Sequence, residues 1–164
     1  IRPEDEPLHR AFIAHVAPAD LRLRFFSSRR ELPRTELARL VQIDYAREMA
    51  FIALDTAPDG AQETLGVVRA VCDPDDVEAE FAILVRTDVQ GRRLGSVLMS
   101  KMVGYLRSRG IRRMTGYVLR ENAAMHALVL GLGFEADSQT HEPGTVFYTL
   151  DLHPSAKAES VAAS

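Results

Sequence analysis

Cysteine, lysine and long apolar runs are scarce in this chain of 164 residues, and each scarcity argues against a particular structural feature or function. The single cysteine, Cys72, cannot form a disulfide within the chain, which favours a reducing, cytoplasmic location. No apolar run approaches the roughly 20 residues needed to cross a bilayer, so we expect no membrane partner. A net charge of −3 argues against a nucleic-acid partner. Lysine occurs only at positions 101 and 157, so an enzyme acting on lysine would offer few acceptors of its own.

The remaining composition is that of one globular domain. Apolar residues make up 46% of the chain and charged residues 26%, both ordinary values. A chain of this length can bury roughly two-thirds of its unfolded surface in one core. We expect the domain to cover residues 1–152, because the small and polar residues 153–164 have nothing to bury and read as a disordered tail or linker. Since residue 1 is isoleucine, we also expect a piece of a longer chain, with a first strand partly lost.

The order of predicted elements indicates an α+β fold with a mixed, mostly antiparallel sheet of six to seven strands flanked by helices. Apolar periodicity and caps predict three helices near the start, one ending at about Val16, one starting near Pro18 and one running from Pro33 to Val41. Strands are predicted at 49–55, 64–72 and 78–85, separated by turns rich in proline, glycine and aspartate. The order is completed by an amphipathic helix ending at Gly110, a strand at 114–119, a helix capped by Asn122, and a hairpin of 134–138 with 145–152.

The stretch from Val85 to Ser96 joins a strand end to the first turn of a helix, and its residues are typical of an anion site. Backbone N–H groups in a first helical turn have no partner within the helix and lie at the positive end of its dipole. Gly91 and Gly95 allow close approach to the main chain, and Ser96 adds a hydroxyl donor. Two adjacent arginines, at 92 and 93, add fixed positive charge. The stretch is therefore a candidate pyrophosphate site, unless Gly91 simply makes a turn beside solvated arginines.

Within that stretch, Gln90-Gly-Arg-Arg-Leu-Gly95 resembles the pyrophosphate loop of the GNAT family of acetyl-CoA-dependent acetyltransferases, Q/R-x-x-G-x-G/A, with Arg93 where the pattern usually has glycine. The segment from Asn122 to Phe134 resembles a second motif of that family. The resemblance implies the GNAT fold, acetyl-CoA as cosubstrate and no metal. It also implies a set of acetyl-CoA contacts: backbone groups of Leu84 and Val85 for the acyl carbonyl and pantetheine, the loop residues Gln90, Gly91, Arg92, Arg93, Leu94, Gly95 and Ser96 for the pyrophosphate, and Asn122 beside the pantetheine arm.

Two features bear on whether such a chain would be catalytic. Many members of the family have a tyrosine that protonates the departing thiolate where this chain has Val129. A thiol pKa near 8.5 lies about one unit above the working pH. A general acid that protonates the thiolate therefore contributes only on the order of 1.4 kcal/mol, and water suffices in its place. An acceptor lysine with a pKa near 10.4 needs a base more, since its neutral form lies roughly 4 to 5 kcal/mol uphill at pH 7.

Glu80 is the candidate base, with Glu78 as the second choice. Both lie on the strand that leads into the loop, and alternation places them on one face, where two carboxylates would raise one pKa. The alternative is that they belong to a solvated acidic edge with Asp73, Asp75 and Asp76. A metal site is disfavoured because no calcium-binding loop spacing is present.

The histidines and the cysteine are better explained by structural roles than by functional ones. The five histidines have no metal-ligand spacing, and we expect them at the surface or at caps. Cys72 has no histidine nearby in sequence, which favours a buried structural thiol over a nucleophile.

Several N-terminal segments narrow the resemblance to the acetyltransferase domain of the Pat-type bacterial protein lysine acetyltransferases. They are residues 1–7, 21–26, 42–50 and 79–85, and together with the loop they extend the likeness over about residues 1–152. The resemblance implies direct attack by a protein lysine, with the active-site lysine of an AMP-forming acyl-CoA synthetase as target and a fused or missing acyl-CoA synthetase-like domain as partner. Asp44, Tyr45 and Glu48 are candidate acceptor-side contacts. Two other functions stay open: acetylation of a small amine, and non-catalytic binding of acyl-CoA by a regulatory module.

Overall fold

A six-stranded sheet with a single parallel pair forms the centre of the protein in the computed structural model, which describes residues 1–25, 33–137 and 142–154. The strand order is β1-β2-β3-β4-β6-β5, and only β3 and β4 run parallel within these residues. The strands are β1 Glu48–Thr56, β2 Gln62–Cys72, β3 Glu78–Val85, β4 Arg113–Leu119, β5 Glu135–Ala136 and β6 Thr145–Asp151.

Five α-helices in the described residues accompany the sheet: α1 Glu6–Ala14, α2 Pro18–Phe25, α3 Arg34–Val41, α4 Leu94–Ser108 and α5 Ala123–Gly131. The longest of them, α4, buries Leu98, Met102 and Leu106, which recur at helical spacing on one face. It is the crossover between the parallel strands β3 and β4, as a parallel connection requires. None of the described helices is both long and apolar enough to span a bilayer.

Two hydrophobic clusters cover the two faces of the sheet. Successive residues of a strand point to opposite faces, and here Val68 and Ile83 join one cluster while Val67 and Leu84 join the other. The first cluster packs the sheet against α4 and α5, and the second packs it against α1, α2 and α3. Glu80 has the same parity as Leu84, so its side chain lies on the face of α1 to α3.

The element order agrees with the sequence-based prediction, and the differences concern ends. The sheet has six strands, because residues 1–5 form coil and a short 3-10 turn rather than a strand before α1. Helix α1 ends at Ala14, and the final hairpin pairs only Glu135 and Ala136 with β6. The predicted helix break at residues 27–31, Ser138 and the tail from 155 to 164 lie outside the described residues.

Candidate active site

The parallel strands β3 and β4 pair over only three residues before they separate. Registered pairs join Glu78 to Arg113, Ala79 to Met114 and Glu80 to Thr115, and no further pair follows although both strands continue. β2 still pairs with β3 as far as Val85, and β6 pairs with β4 as far as Leu119. Each strand is therefore held on its outer side. The inner edge of β3 beyond Glu80 is left with backbone donors and acceptors that no strand partner uses.

Phe81 and Gly116 lie side by side where the two strands separate. A Cβ built on Gly116 would meet Cε1 of the Phe81 ring at 2.4 Å, so the ring occupies the space that a side chain at position 116 would need. The ring also packs edge-on against Phe134, with 5.3 Å between centroids. Glycine at 116 thus allows an aromatic ring to sit between strands that would otherwise be close neighbours.

The gap between the strands opens into a cavity of about 700 Å³. Its wall brings together the inner edge of β3, the loop before α4, the N-terminal part of α5 and one side of α2. Of the predicted site residues, the wall includes Glu80, Leu84, Val85, Gln90, Gly91, Arg93, Leu94, Gly95, Ser96 and Asn122, but not Glu78 or Arg92. Residues far apart in sequence therefore share one space large enough for a cofactor.

The loop before α4 ends in an uncapped helix N-terminus. Gly91 has φ +78° and Arg93, at the N-cap, has φ +63°, a left-handed conformation that glycine adopts without strain and arginine does not. No side chain caps this end of α4 within the described residues, so the N–H groups of Leu94, Gly95 and Ser96 remain available to an anion. The arginine at the usual glycine position therefore keeps the loop conformation and adds charge to the cavity wall.

Gln90 is the one predicted loop contact whose side chain is already bound within the protein. Its Nε2 donates to Asp20 Oδ2 at 3.0 Å and to the Val85 carbonyl at 3.3 Å. Thr87 Oγ1 donates to the same Asp20 oxygen at 2.6 Å. Gln90 thereby connects α2 to the loop, a role that its sequence position did not reveal.

Asn122 closes the opposite wall as the N-cap of α5. Its Oδ1 accepts from the Met125 N–H at 3.1 Å, as the sequence predicted for a cap. The residue also lines the cavity, so capping and ligand contact are compatible. Val129 is fully buried and offers no hydroxyl there.

Glu80 and Glu78 have different surroundings although they share a face of β3. Glu80 lies on the cavity wall, while Glu78 forms a salt bridge with Arg113. The pKa of Glu80 is raised because of its partial burial and because of the Glu142 carboxylate, while the nearby Arg24 lowers it. The expectation that Glu78 raises the pKa of its neighbour is therefore wrong, since Glu78 is engaged by an arginine of β4. A raised pKa suits a base that must take a proton near neutral pH.

Other predicted contacts have structural partners instead. Tyr45 donates to the Ile1 carbonyl, Asp44 accepts from the Ala46 N–H at 3.0 Å, and Glu48 binds the buried Arg69 at 3.2 Å. None of these three lines the cavity. Asp44 and Tyr45 are nevertheless exposed, so the role of these residues as acceptor-side contacts stays a prediction.

The described histidines and the cysteine behave as structural residues, with one correction, and His141 lies outside the described residues. His126 bridges α5 to the sheet through the Tyr148 hydroxyl at 2.7 Å and the Leu119 carbonyl at 3.1 Å. His9 was expected at the surface but is 3% exposed and packs beside Phe12. Cys72 is half-buried, and burial raises the pKa of its thiol, which disfavours a nucleophilic thiolate. Over the ranges that the structure describes, no group of three or more His, Cys, Asp or Glu side chains could hold a metal ion.

Arg24, which sequence reasoning missed, lines the cavity near Glu80. It lies one turn after the buried Leu21 on α2, and its guanidinium carbon is 4.6 Å from the centroid of the Phe25 ring. Burial and the charge of Arg69 lower its pKa to about 10, so it stays charged at neutral pH. The signal that could have found it is spacing: Arg24 follows the apolar Leu21 by three positions, and residues three apart on a helix lie on the same face, here the buried one.

A splayed parallel strand pair, an uncapped helix beyond it and a cavity joining the two agree with what the resemblance to acyl-CoA-dependent transferases of the GNAT type implies. The profile of the Acetyltransferase (GNAT) family matches residues 18–134. The chain belongs to that family, whose members are acetyltransferases that use acetyl-CoA.

Three relatives show where in the family the chain lies. It is 32% identical to Acetyltransferase PA5475 of Pseudomonas aeruginosa over 152 residues, covering 93% of this chain and 81% of that protein. It is 30% identical to Acetyltransferase Pat of Mycolicibacterium smegmatis over 131 residues, 80% of this chain but only 38% of the length of that protein. The crystal structure of the GNAT domain of S. lividans PAT superposes with a TM-score of 0.82 at 27% identity, covering 92% of this chain and 87% of that one. The chain therefore resembles the GNAT domain of Pat proteins.

Proposed function

We propose that this domain transfers the acetyl group of acetyl-CoA to a lysine of a protein, with Glu80 as the base. The observation that carries the proposal is the single cavity that joins the uncapped N-terminus of α4 to the Glu80 carboxylate. The likeness of the chain to Pat proteins supports a protein acceptor. The proposed target is the active-site lysine of an AMP-forming acyl-CoA synthetase.

The cavity residues fit acetyl-CoA by chemistry. The free N–H groups of Leu94, Gly95 and Ser96 would hold the pyrophosphate, and the guanidinium group of Arg93, on the cavity wall, would add charge. The inner edge of β3 at Leu84 and Val85 and the capped turn at Asn122 would flank the pantetheine arm. When bound, acetyl-CoA supplies an activated acetyl group, whose transfer to an amine breaks a C–S bond, forms a C–N bond and releases CoA as a thiol.

The base is the part of the reaction that this chain must supply. The neutral form of a lysine with a pKa near 10.4 lies roughly 4 to 5 kcal/mol above the protonated form at pH 7. The Glu80 carboxylate, at the end of the cavity remote from the loop, would accept the amine proton directly or through one water. Its raised pKa matches that task better than that of a fully exposed carboxylate would.

The test is mass spectrometry of an AMP-forming acetyl-CoA synthetase incubated with acetyl-CoA and the domain, using wild type and Glu80→Gln. We expect one acetyl group on a single synthetase lysine, and a rate for the variant that falls roughly 10²- to 10⁴-fold, as for loss of a general base. The Glu78→Gln variant distinguishes the contribution of Glu78 from that of Glu80. Glu135→Gln is the matched control, because Glu135 is an exposed acid of β5 outside the cavity.

Controls decide what a negative result means. Glu80→Gln removes a charge that its surroundings disfavour, so its unfolding midpoint in urea should not fall below that of wild type. Binding of acetyl-CoA without transfer to any protein would contradict the protein acceptor. Transfer to spermidine or another small amine would then indicate a small-amine acetyltransferase, and no transfer at all a regulatory acyl-CoA-binding module.

A partner domain is the second part of the proposal. The chain spans only 38% of the length of the Pat protein it matches. The resemblance to Pat-type proteins, and not this coverage, is the reason to propose a fused or missing acyl-CoA synthetase-like domain as a partner. The same assay repeated with the full-length natural protein tests it, since a rate equal to that of the isolated domain would show that no partner is needed.

A further inference from the structure

Arg24 occupies a position that acetyl-CoA binding alone does not explain. It lines the large cavity together with Glu80, and it also lines a small void of about 10 Å³ on its other side, with His9 and Arg69. Its guanidinium therefore forms part of the wall between the cavity and the core under α1 to α3. A cation placed at such a boundary is unfavourable unless an opposite charge compensates it.

Helix α2 is held at both sides of the cavity mouth, which fixes where Arg24 can be. On one side Asp20 accepts from Thr87 Oγ1 at 2.6 Å and from Gln90 Nε2 at 3.0 Å, both in the loop after β3. On the other side Arg22 forms a salt bridge with Glu121, directly before the cap of α5. The helix thus bridges the two loops, and Arg24 lies one turn after the Asp20 tether.

Among the described residues, the core behind Arg24 offers its charge no free counterion. Arg69 is buried and bound to Glu48 at 3.2 Å and to the Leu40 carbonyl, so its own charge is already paired. His9 is held neutral, because burial and the two arginines lower its pKa to about 4. Nothing among these groups offers Arg24 a free negative charge, whereas Glu80 on the cavity side interacts with it electrostatically.

We propose that Arg24 is a positioning residue for the transfer reaction: its guanidinium, on the same cavity wall, keeps the Glu80 carboxylate ionised when acyl donor and acceptor displace water from the cavity. The inference rests on the proposed role of Glu80 as base. Filling the cavity removes solvent from the carboxylate, and a fixed cation beside it offsets that loss. No sequence motif of the loop or of α5 includes this residue.

The charges around Glu80 determine the sign of the expected effect. Arg24 faces it from α2 and lowers its pKa, while partial burial and Glu142, from the segment before β6, raise it. Glu78 and Arg113, at the start of β3 and β4, form a salt bridge with each other. Among the described groups around Glu80, removing Arg24 therefore leaves only influences that raise the pKa of this carboxylate, which would then need a higher pH to act as base.

The test is the pH profile of kcat/KM for Arg24→Gln and Arg24→Lys beside wild type. We expect the acid limb of the Gln variant to move up by about one pH unit, the size of effect that a nearby opposite charge exerts, and the Lys variant to restore most of the shift. KM for acetyl-CoA should change little. Arg39→Gln, an exposed arginine of α3 outside the cavity, loses the same charge and should leave the limb in place.

Two further measurements separate this proposal from the one on which it rests. In the Glu80→Gln background, adding Arg24→Gln should cause no further shift of the limb. A ¹³C NMR titration of the Glu80 carboxyl reports its ionisation without catalysis, and Arg24→Gln should move that titration upward. If Glu80→Gln keeps full activity, the base assignment fails. If the titration of Glu80 is the same in Arg24→Gln and wild type, with urea unfolding unchanged, the role of Arg24 is overturned.

Discussion

At the scale of single residues, Arg93 shows how one side chain serves two opposed demands. It adopts a left-handed backbone conformation, φ +63°, at the N-cap of α4 and also lines the cavity. A non-glycine residue in that conformation is strained by about 1 kcal/mol or more, while a cation there favours an anionic ligand. The GNAT pattern usually has glycine at this position, which avoids the strain, whereas this chain has arginine, which adds the charge.

Arg93→Gly should therefore stabilise the fold and weaken ligand binding. Relief of the strain, less the added entropy of glycine in the unfolded chain, predicts a gain of about 0.5 kcal/mol in the free energy of unfolding. Loss of a charged donor predicts a Kd for acetyl-CoA roughly tenfold higher, about 1.4 kcal/mol. Urea denaturation and calorimetric titration measure the two effects.

Arg92→Gly is the matched control, because Arg92 carries the same charge without a positive φ. That variant should lose stability where Arg93→Gly gains it. If both variants are destabilised alike, backbone strain at Arg93 is not significant.

At the scale of elements, the separation of β3 and β4 depends on a contact between two strands and not on either strand alone. Phe81 of β3 fills the space beside Gly116 of β4, immediately after the last registered pair. Because β2 and β6 hold the outer sides, the gap opens inward toward the cavity.

Gly116→Ala should disturb this arrangement. The new Cβ would lie 2.4 Å from the Phe81 ring, so the ring must move, and overpacking of this kind destabilises by about 1 to 3 kcal/mol. Since Phe81 also lines the cavity, acetyl-CoA affinity should fall together with stability. Thermal denaturation and titration with acetyl-CoA measure both.

Gly104→Ala offers the opposite expectation as a control. Its added methyl group on α4 would meet nothing within 4 Å, and the helix interior favours alanine over glycine by about 1 kcal/mol. Stability equal to wild type in Gly116→Ala would show that Phe81 can relax freely and that the contact does not hold the strands apart.

At the scale of the whole molecule, the sheet carries a core on each face, and the two cores respond differently to pH. The core under α1 to α3 contains His9, buried and neutral, whose Nδ1 has no hydrogen-bond partner among the described residues. Burial lowers its pKa from 6.5 to about 4. The core under α4 and α5 contains apolar residues and the bonded pair His126 and Tyr148.

Folding stability should therefore fall as the pH falls from 6.5 to about 4. Over this window the unfolded chain binds a proton at His9 that the folded chain resists, so the native state loses up to about 3 kcal/mol. His9→Leu should flatten the dependence of the urea midpoint on pH in this window. His153→Gln, at an exposed position, should leave the dependence unchanged. An identical slope in wild type and His9→Leu would contradict the assignment.

Much of the fold and part of the site could be predicted from local sequence, because their signals are local. Strand alternation, proline and glycine at turns, and the cap at Asn122 each act over a few residues, and the element order follows from them. The uncapped helix end at Leu94 to Ser96 was predictable for the same reason, since its free donors belong to one stretch of chain, and its use as an anion site stays a prediction. The pairing of Glu78 with Arg113 was not, because it joins strands 35 positions apart that become neighbours only through the α4 crossover.

The amino-acid sequence by itself determined the class of the protein, the glycine- and arginine-containing loop before α4 and the strand that carries the base candidates, since each depends on residues adjacent along the chain. Only the tertiary structure decided which carboxylate lines the cavity, that Asp20 and Gln90 join α2 to the loop, and that Arg24 shares the cavity wall with Glu80. The physical reason is that charge interactions and burial depend on distance in space. Those distances are determined by how the helices of one face pack on a sheet whose central strands separate.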